Sequence, residues 1–190
     1  MGQLSSSSDV DWTKYTQKPA IRSIRHMSFR CFDGEETREF YEDFLGMEFT
    51  AAIPEKMEVD GRTTEVMHIY FRMADGDFIA FYDMPDDVTP EKFTFDPMEL
   101  HLGMKVPSEE AMMTWAERLK ERGIEYMGPM DHDMVQSIYF QDPNGLWLEA
   151  TYQVPDHEEI MHREMSEAKD ILADWTVQSA PKKKKFREIQ

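Results

Sequence analysis

Two histidines and one glutamate carry the most chemical promise in this 190-residue chain. His26 lies in Arg25-His26-Met27-Ser28-Phe29-Arg30-Cys31-Phe32, and His101 in Leu100-His101-Leu102-Gly103-Met104-Lys105-Val106. Both stretches alternate in polarity, as half-buried strands do. Met27, Phe29 and Cys31 share one face of the first; Leu100, Leu102, Met104 and Val106 share one face of the second. Each histidine falls on the opposite face. Glu149 interrupts a third apolar stretch, Leu146-Trp147-Leu148-Glu149-Ala150. An unpaired buried carboxylate is costly, so Glu149 needs a cation or strong donors. Two imidazoles and one carboxylate on one side of a metal leave its other side open to substrate, oxygen or water. That set serves non-heme Fe(II) oxygenases, and it also suits Mn, Zn, Co or Ni. The other reading open on spacing alone makes His26 and His101 satisfied core histidines and puts Glu149 at a sheet edge.

The elements that must position these residues form a repeat. His68-Ile-Tyr-Phe-Arg-Met-Ala-Asp-Gly-Asp-Phe-Ile-Ala-Phe81 returns without a gap as Ser137-Ile-Tyr-Phe-Gln-Asp-Pro-Asn-Gly-Leu-Trp-Leu-Glu-Ala150. Ile-Tyr-Phe and the turn glycine (Gly76, Gly145) are shared, whereas Ala80 is replaced by Glu149. Each copy opens with a histidine strand. A helix follows: Glu35–Leu45, with Phe40, Tyr41, Phe44 and Leu45 on one stripe and Gly46 as the stop. In the second copy Ser108 caps Glu110–Arg122, which carries Met112, Trp115, Ala116 and Leu119 and ends before Gly123. Three strands then end in hairpins turned at Asp75-Gly76 and Asn144-Gly145. The expected fold is α+β: two tandem βαβββ modules, about 21–84 and 98–153, joined by an Asp- and Pro-rich linker over 84–97. Their sheets are expected to curl around a shared, metal-centred cavity. The first and last strands of each module should be central, so that His26, His101 and Glu149 project inward.

Residues 1–20 read as a polar, flexible lead-in with a Ser5–Ser8 run, and Met1–Ser6 matches a short myristoylation pattern that also arises by chance. Residues 154–190 read as an amphipathic helix, with Met161, Met165, Ala168, Leu172 and Trp175 on its stripe, ending in a disordered basic Lys182–Lys185 run. That helix is expected to pack on the domain or on a second subunit. The formal net charge is −17, which disfavours nucleic acid and anionic membrane as partners. No apolar run reaches the roughly 18 residues of a membrane span. The single cysteine, Cys31, permits no intrachain disulfide and suits a reducing, cytoplasmic setting. Sixteen methionines fit either ordinary core filling or a pocket for an apolar ligand.

The combined pattern resembles the vicinal oxygen chelate superfamily of glyoxalases, fosfomycin-resistance proteins, epimerases and extradiol dioxygenases. The resemblance covers about residues 21–153. It rests on His26, on Phe40-Tyr41-Glu42-Asp43-Phe44-Leu45-Gly46-Met47, on His101, and on Ser137–Gly145 leading into Glu149. It implies paired βαβββ modules and a divalent metal held by His26, His101 and Glu149. Glyoxalases and epimerases of this group usually add a fourth ligand where Ala80 stands. The resulting three-ligand site is similar to those of extradiol dioxygenases and fosfomycin-resistance enzymes. The former also place a tyrosine ten positions before the ligand glutamate, as Tyr139 is, and Pro143 fits as well. Their acid/base histidine has no match, because Asp86–Glu99 contains none. Their other outer histidine aligns near Met130, two residues before His132.

His68 is the leading candidate acid or base, since it shares a strand face with Tyr70, the twin of Tyr139. A structural histidine bonded to backbone is its alternative. Tyr139 could donate to a metal-bound oxygen anion, or pack with its hydroxyl outward. Tyr70, Arg30, Lys105 and His132 are candidate substrate contacts, the two cations for an anionic group unless they merely end their strands in solvent. His157 and His162 are spaced by five, off one helix face, so they make no zincin motif. The expectation is a metal-dependent enzyme, Fe(II) before Mn, Zn, Co or Ni, that cleaves a small catechol-like substrate and forms a homodimer. A non-oxidative lyase, isomerase or transferase is the first rival, and a metal-free binder of aromatic ligands the second.

Overall fold

The computed structural model describes residues 24–59 and 61–187. The lead-in over 1–20, with its serine run and acylation pattern, lies outside the described residues. The chain divides between Asp87 and Val88 into two compact units.

The first unit contains β1 (His26–Cys31), α1 (Gly34–Arg38), β2 (Glu48–Val59), β3 (Arg62–Arg72) and β4 (Phe78–Asp83). The second contains β5 (His101–Lys105), α2 (Glu109–Glu121), β6 (Tyr126–Asp131), β7 (Val135–Gln141), β8 (Trp147–Gln153) and α3 (His157–Arg187). The sheets run β1-β4-β3-β2 and β5-β8-β7-β6. In each, the first and last strands of the module pair parallel and the remaining pairs are antiparallel. The molecule is therefore α+β, with two tandem βαβββ modules and a C-terminal helix. One expectation needs correction. The last strand of each module is interior to its sheet, but β1 and β5 are edge strands with one neighbour each.

Local chemistry explains the elements. Asp33 caps α1, its carboxylate accepting from the amides of Glu35 and Glu36 at 2.9 Å. The expected single helix over Glu35–Leu45 instead widens at Glu39 into a π-helical stretch reaching Phe44. Its wider ladder is visible where Leu45 N donates to Phe40 O at 2.9 Å. The aromatic stripe survives the change. Tyr41 is fully buried, with its ring 5.3 Å from Phe71 and 4.8 Å from Phe81 between centroids. Burying each such ring contributes about 1.5–3 kcal/mol. In the second unit Ser108 caps α2, and Met112, Ala116 and Leu119 are buried where α2 packs on β6, β7 and β8. Trp115 is only half-buried, under the Arg118 guanidinium. Gly145 has φ +75°, and a Cβ there would collide with the backbone oxygen of Phe93, so the turn admits no larger residue.

Each helix covers one face of its sheet. The opposite faces carry the polar residues of interest: His26, Tyr70 and His68 in the first unit, and His101, Glu149 and Tyr139 in the second. Finally, α3 continues through Lys182–Lys185 to Arg187, so that run is helical rather than a disordered end.

Candidate functional site

Strand pairing in the second unit assembles a compact polar group. Glu149 on β8 stands between Gly103 of β5 and Tyr139 of β7. It is 8% exposed and on an interior strand, which removes the sheet-edge reading. His101 is exposed, so it is not a core histidine. Its Nε2 lies 3.4 Å from Glu149 Oε2, and its Nδ1 lies 2.7 Å from Pro97 O. A carbonyl oxygen only accepts, so Nδ1 carries the proton and donates. In the neutral ring, Nε2 then turns a lone pair toward a carboxylate. Two acceptors face each other, and the arrangement calls for a cation: a proton on His101 or a metal ion. Gly103 leaves the space this needs, because a Cβ there would stand 3.3 Å from Glu149 Oε2.

The other carboxylate oxygen is held from outside. Tyr139 O–H donates to Glu149 Oε1 at 2.8 Å. Burial, and then the bond to Glu149 and its charge, push the Tyr139 phenol up to about 12. The phenol therefore keeps its proton and commits it to the carboxylate. His132 Nε2 lies 3.0 Å from the same hydroxyl, and must be the donor there. The result is a directed chain, His132 to Tyr139 to Glu149 on one side and Pro97 O holding His101 on the other. An imidazole and a carboxylate, each oriented by an outer partner, are a donor pair that fits a divalent metal.

The equivalent place in the first unit lacks the carboxylate. Ala80 occupies the position of Glu149, opposite Ser28 and Tyr70. His26 is exposed on β1 and meets Tyr70 edge-on, with centroids 6.4 Å apart. Both line an open cavity of about 350 Å³ with Thr50, Ala51, Ile53 and Phe78. Tyr70 OH is 2.9 Å from His68 Nδ1. His68 is buried and stacked on Tyr82, with centroids 3.8 Å apart. Its Nε2 has no partner among the described residues. Burial depresses its pKa, the nearby His26 adds to this, and Glu55 opposes it from 3.9 Å. His68 is thus a neutral, enclosed ring.

The remaining candidates have their own settings. Arg30 is half-buried on β1 opposite Tyr82. Lys105 donates to Gln153 Oε1 at 2.6 Å; the Gln153 amide meets His157 Nε2, and His157 Nδ1 donates to Met134 O. His157 is therefore an anchor for α3, in keeping with rejection of the zincin motif. Among the described residues no three His, Cys, Asp or Glu side chains gather into a metal-holding group. Of the three expected ligands, His101 and Glu149 meet within the second unit, while His26 stands in the first. Sequence reasoning missed the Pro97 carbonyl and the clearance at Gly103. The second was legible, since Gly103 lies two residues past His101 on the same face.

A sequence model of the Glyoxalase/Bleomycin resistance protein/Dioxygenase superfamily matches residues 23–150. "Glyoxylase I 4" of Arabidopsis thaliana is 24% identical over 132 residues, 68% of this chain and 70% of that protein. A Bacillus subtilis protein named as a candidate ring-cleaving dioxygenase, MhqA, is 24% identical over 134 residues; the match spans 69% of this chain but only 40% of that protein. Among solved structures, a Frankia glyoxylase/bleomycin resistance protein/dioxygenase domain superposes with TM-score 0.59 at 18% identity, covering 74% of this chain and 99% of that one. The fosfomycin resistance protein FosX of Listeria monocytogenes, in a mutant form complexed with Mn(II) and a dihydroxypropylphosphonic acid, superposes at 0.54 and 19%, covering 75% and 99%. With the family model spanning most of the chain and the repeated βαβββ topology, the protein belongs to the glyoxalase/bleomycin resistance protein/dioxygenase superfamily, also called the vicinal oxygen chelate superfamily.

Proposed function

We propose that the protein is a metal-dependent enzyme in which His101 and Glu149, completed by His26 of the first unit, hold a divalent metal, iron(II) before Mn, Zn, Co or Ni. We further propose that it opens the ring of a small catechol-like substrate. The observation that carries the metal reading is His101 Nε2 set 3.4 Å from Glu149 Oε2, with each residue pinned from its far side. The metal would draw in both vicinal oxygens of the substrate and, as iron(II), allow electron exchange with oxygen. Tyr139 fixes the Glu149 carboxylate through its hydrogen bond to Oε1. His132 sits where it can pass a proton to or from the Tyr139 hydroxyl. This His132–Tyr139 contact supports ring cleavage, because it sets an outer histidine beside the tyrosine that precedes Glu149 by ten positions. His68 and Tyr70 form a polar pair for one substrate oxygen, and Arg30 and Lys105 supply cations for an anionic substituent.

A second reading is Lewis-acid chemistry without oxygen, as in a lyase, isomerase or transferase. The absence of any histidine in Asp86–Glu99 favours it, since the resemblance to ring-cleaving enzymes leads one to expect an acid or base there. Elemental analysis of anaerobically purified wild type and Glu149→Ala, followed by oxygen uptake with catechols, separates the readings. Stoichiometric iron lost in the variant, with catechol-dependent oxygen uptake, is the expected result. Stoichiometric Zn, Mn, Co or Ni without oxygen uptake would move the assignment to the second reading. Failure of both proteins to hold any of these metals after reconstitution would leave a small-molecule binding protein.

A further inference from the structure

We propose that Met127, Met130 and His132 form a site for a soft monovalent metal ion, copper(I), at the edge strand β6. Methionines spaced as 127 and 130 are would point to opposite faces of a regular strand. Here the register of β6 against β7 shifts between them, so that Met127 lies opposite Tyr139 and Met130 opposite Ser137. Tyr139 and Ser137 share one face of β7, and residues paired across antiparallel strands share a face as well. The bulge therefore brings both methionines to the face that carries Tyr139. Gly128 makes the bulge possible: its φ is +111°, and a Cβ there would stand 2.6 Å from the backbone oxygen of Ser137. The two methionine Cα atoms are then about 7 Å apart, as alternate residues of a strand are. Two long, unbranched side chains at that spacing can set both sulfurs on one ion. Both are open to solvent, Met127 39% exposed and Met130 37%.

His132 supplies the third donor. Its Nε2–H donates to the Tyr139 hydroxyl at 3.0 Å, which holds the ring at that same face and leaves the lone pair on Nδ1. His132 is exposed, so the lone pair is within reach of an ion from solvent. Two thioethers and one imidazole are neutral and soft, and they favour copper(I) over the divalent ions that suit an imidazole and a carboxylate. The net charge of −17 draws cations to the chain. The site shares no donor with His101 and Glu149, so it stands whether or not that pair holds a metal.

The test titrates the full chain, metal-free, reduced and anaerobic, with the copper(I) complex of bicinchoninate. Cys31→Ala is present in every sample, so that no thiol contributes. This parent should take one copper(I) from the complex. Adding Met127→Leu and Met130→Leu together should weaken uptake at least tenfold, and adding His132→Gln severalfold; leucine keeps the bulk and apolarity of methionine, so the fold is retained. Met161→Leu with Met165→Leu, which removes two exposed methionines of α3, should bind as the parent does. Silver(I), a diamagnetic stand-in for copper(I), should move the methyl NMR signals of Met127 and Met130, and zinc(II) should leave them in place. Unchanged binding in either β6-site variant would overturn the proposal. So would a parent that takes no copper(I) from bicinchoninate, or binding that is lost only in the α3 variant.

Discussion

The two units share strand order and pairing, yet among the described residues only the second sets a carboxylate against the histidine of its first strand. In the first, His26, Ser28, Ala80, Tyr70 and His68 occupy the polar face. In the second the same positions are His101, Gly103, Glu149, Tyr139 and Ser137. The differences are coupled. Glu149 fits because Gly103 has no side chain where Ser28 has one. Tyr139 gives its proton to Glu149. Tyr70 faces Ala80 where Tyr139 faces Glu149, and engages His68 instead, at the position where the second unit has Ser137. One backbone thus supports a ligand pair in one copy and a tyrosine–histidine pair in the other. The cores differ too: α1 and its extension bury aromatics, while α2 buries Met112, Ala116 and Leu119.

The largest expected effect tests the cores. Tyr41→Ala should cost about 3–5 kcal/mol and Leu119→Ala about 2–5 kcal/mol, read as shifts in the denaturant midpoint. A loss below about 1 kcal/mol for Tyr41→Ala would mean that its ring cluster is not a folding core. Next comes the proposed metal pair. Tyr139→Phe removes the donor to Glu149 and should weaken metal binding about 10–100-fold, measured by competition with a chelating dye, while Tyr70→Phe should do much less. Equal effects would dissolve the contrast between the units. Gly103→Ser gives the second unit the first unit's residue. Its side chain crowds Glu149 Oε2, and about tenfold weaker binding is expected in the same assay.

The smallest effect concerns pH. The depressed pKa of His68 means that the unfolded chain takes up its proton more readily than the folded one. The stability it contributes is complete above the ordinary histidine value of about 6.5 and is lost as pH falls below that and through the folded value. One proton limits the slope to about 1.4 kcal/mol per pH unit. His68→Gln should flatten this part of the acid decline in denaturation experiments. An unchanged decline would show that His68 is protonated as easily in the folded protein as in the unfolded one.

The module repeat, the Ser108 cap and the turn glycines were legible in the chain because they depend on local propensity and on periods of 2.0 and 3.6, whereas the Asp33 cap of α1 came only from the structure. The polar faces of the histidine strands followed from the same alternation. The π-helical extension at Glu39–Phe44 was not, since one residue more per turn barely alters the pattern of apolar positions. Helicity through Lys182–Lys185 also went against composition, where a charge run reads as solvated chain.

What the sequence by itself determined is the duplication, the α+β class, and the presence of histidine and glutamate at matched positions on polar strand faces. Tertiary structure alone decided how those groups are held. It set Pro97 O on one nitrogen of His101, turned the other toward Glu149, buried that carboxylate under Tyr139, and brought His132 to the tyrosine hydroxyl from the turn between β6 and β7. The reason is geometric: alternation assigns a residue to a face, but a contact needs a distance and a direction between residues as far apart in the chain as His101 and Glu149, 48 positions. Only the pairing of β5, β8 and β7 supplies those.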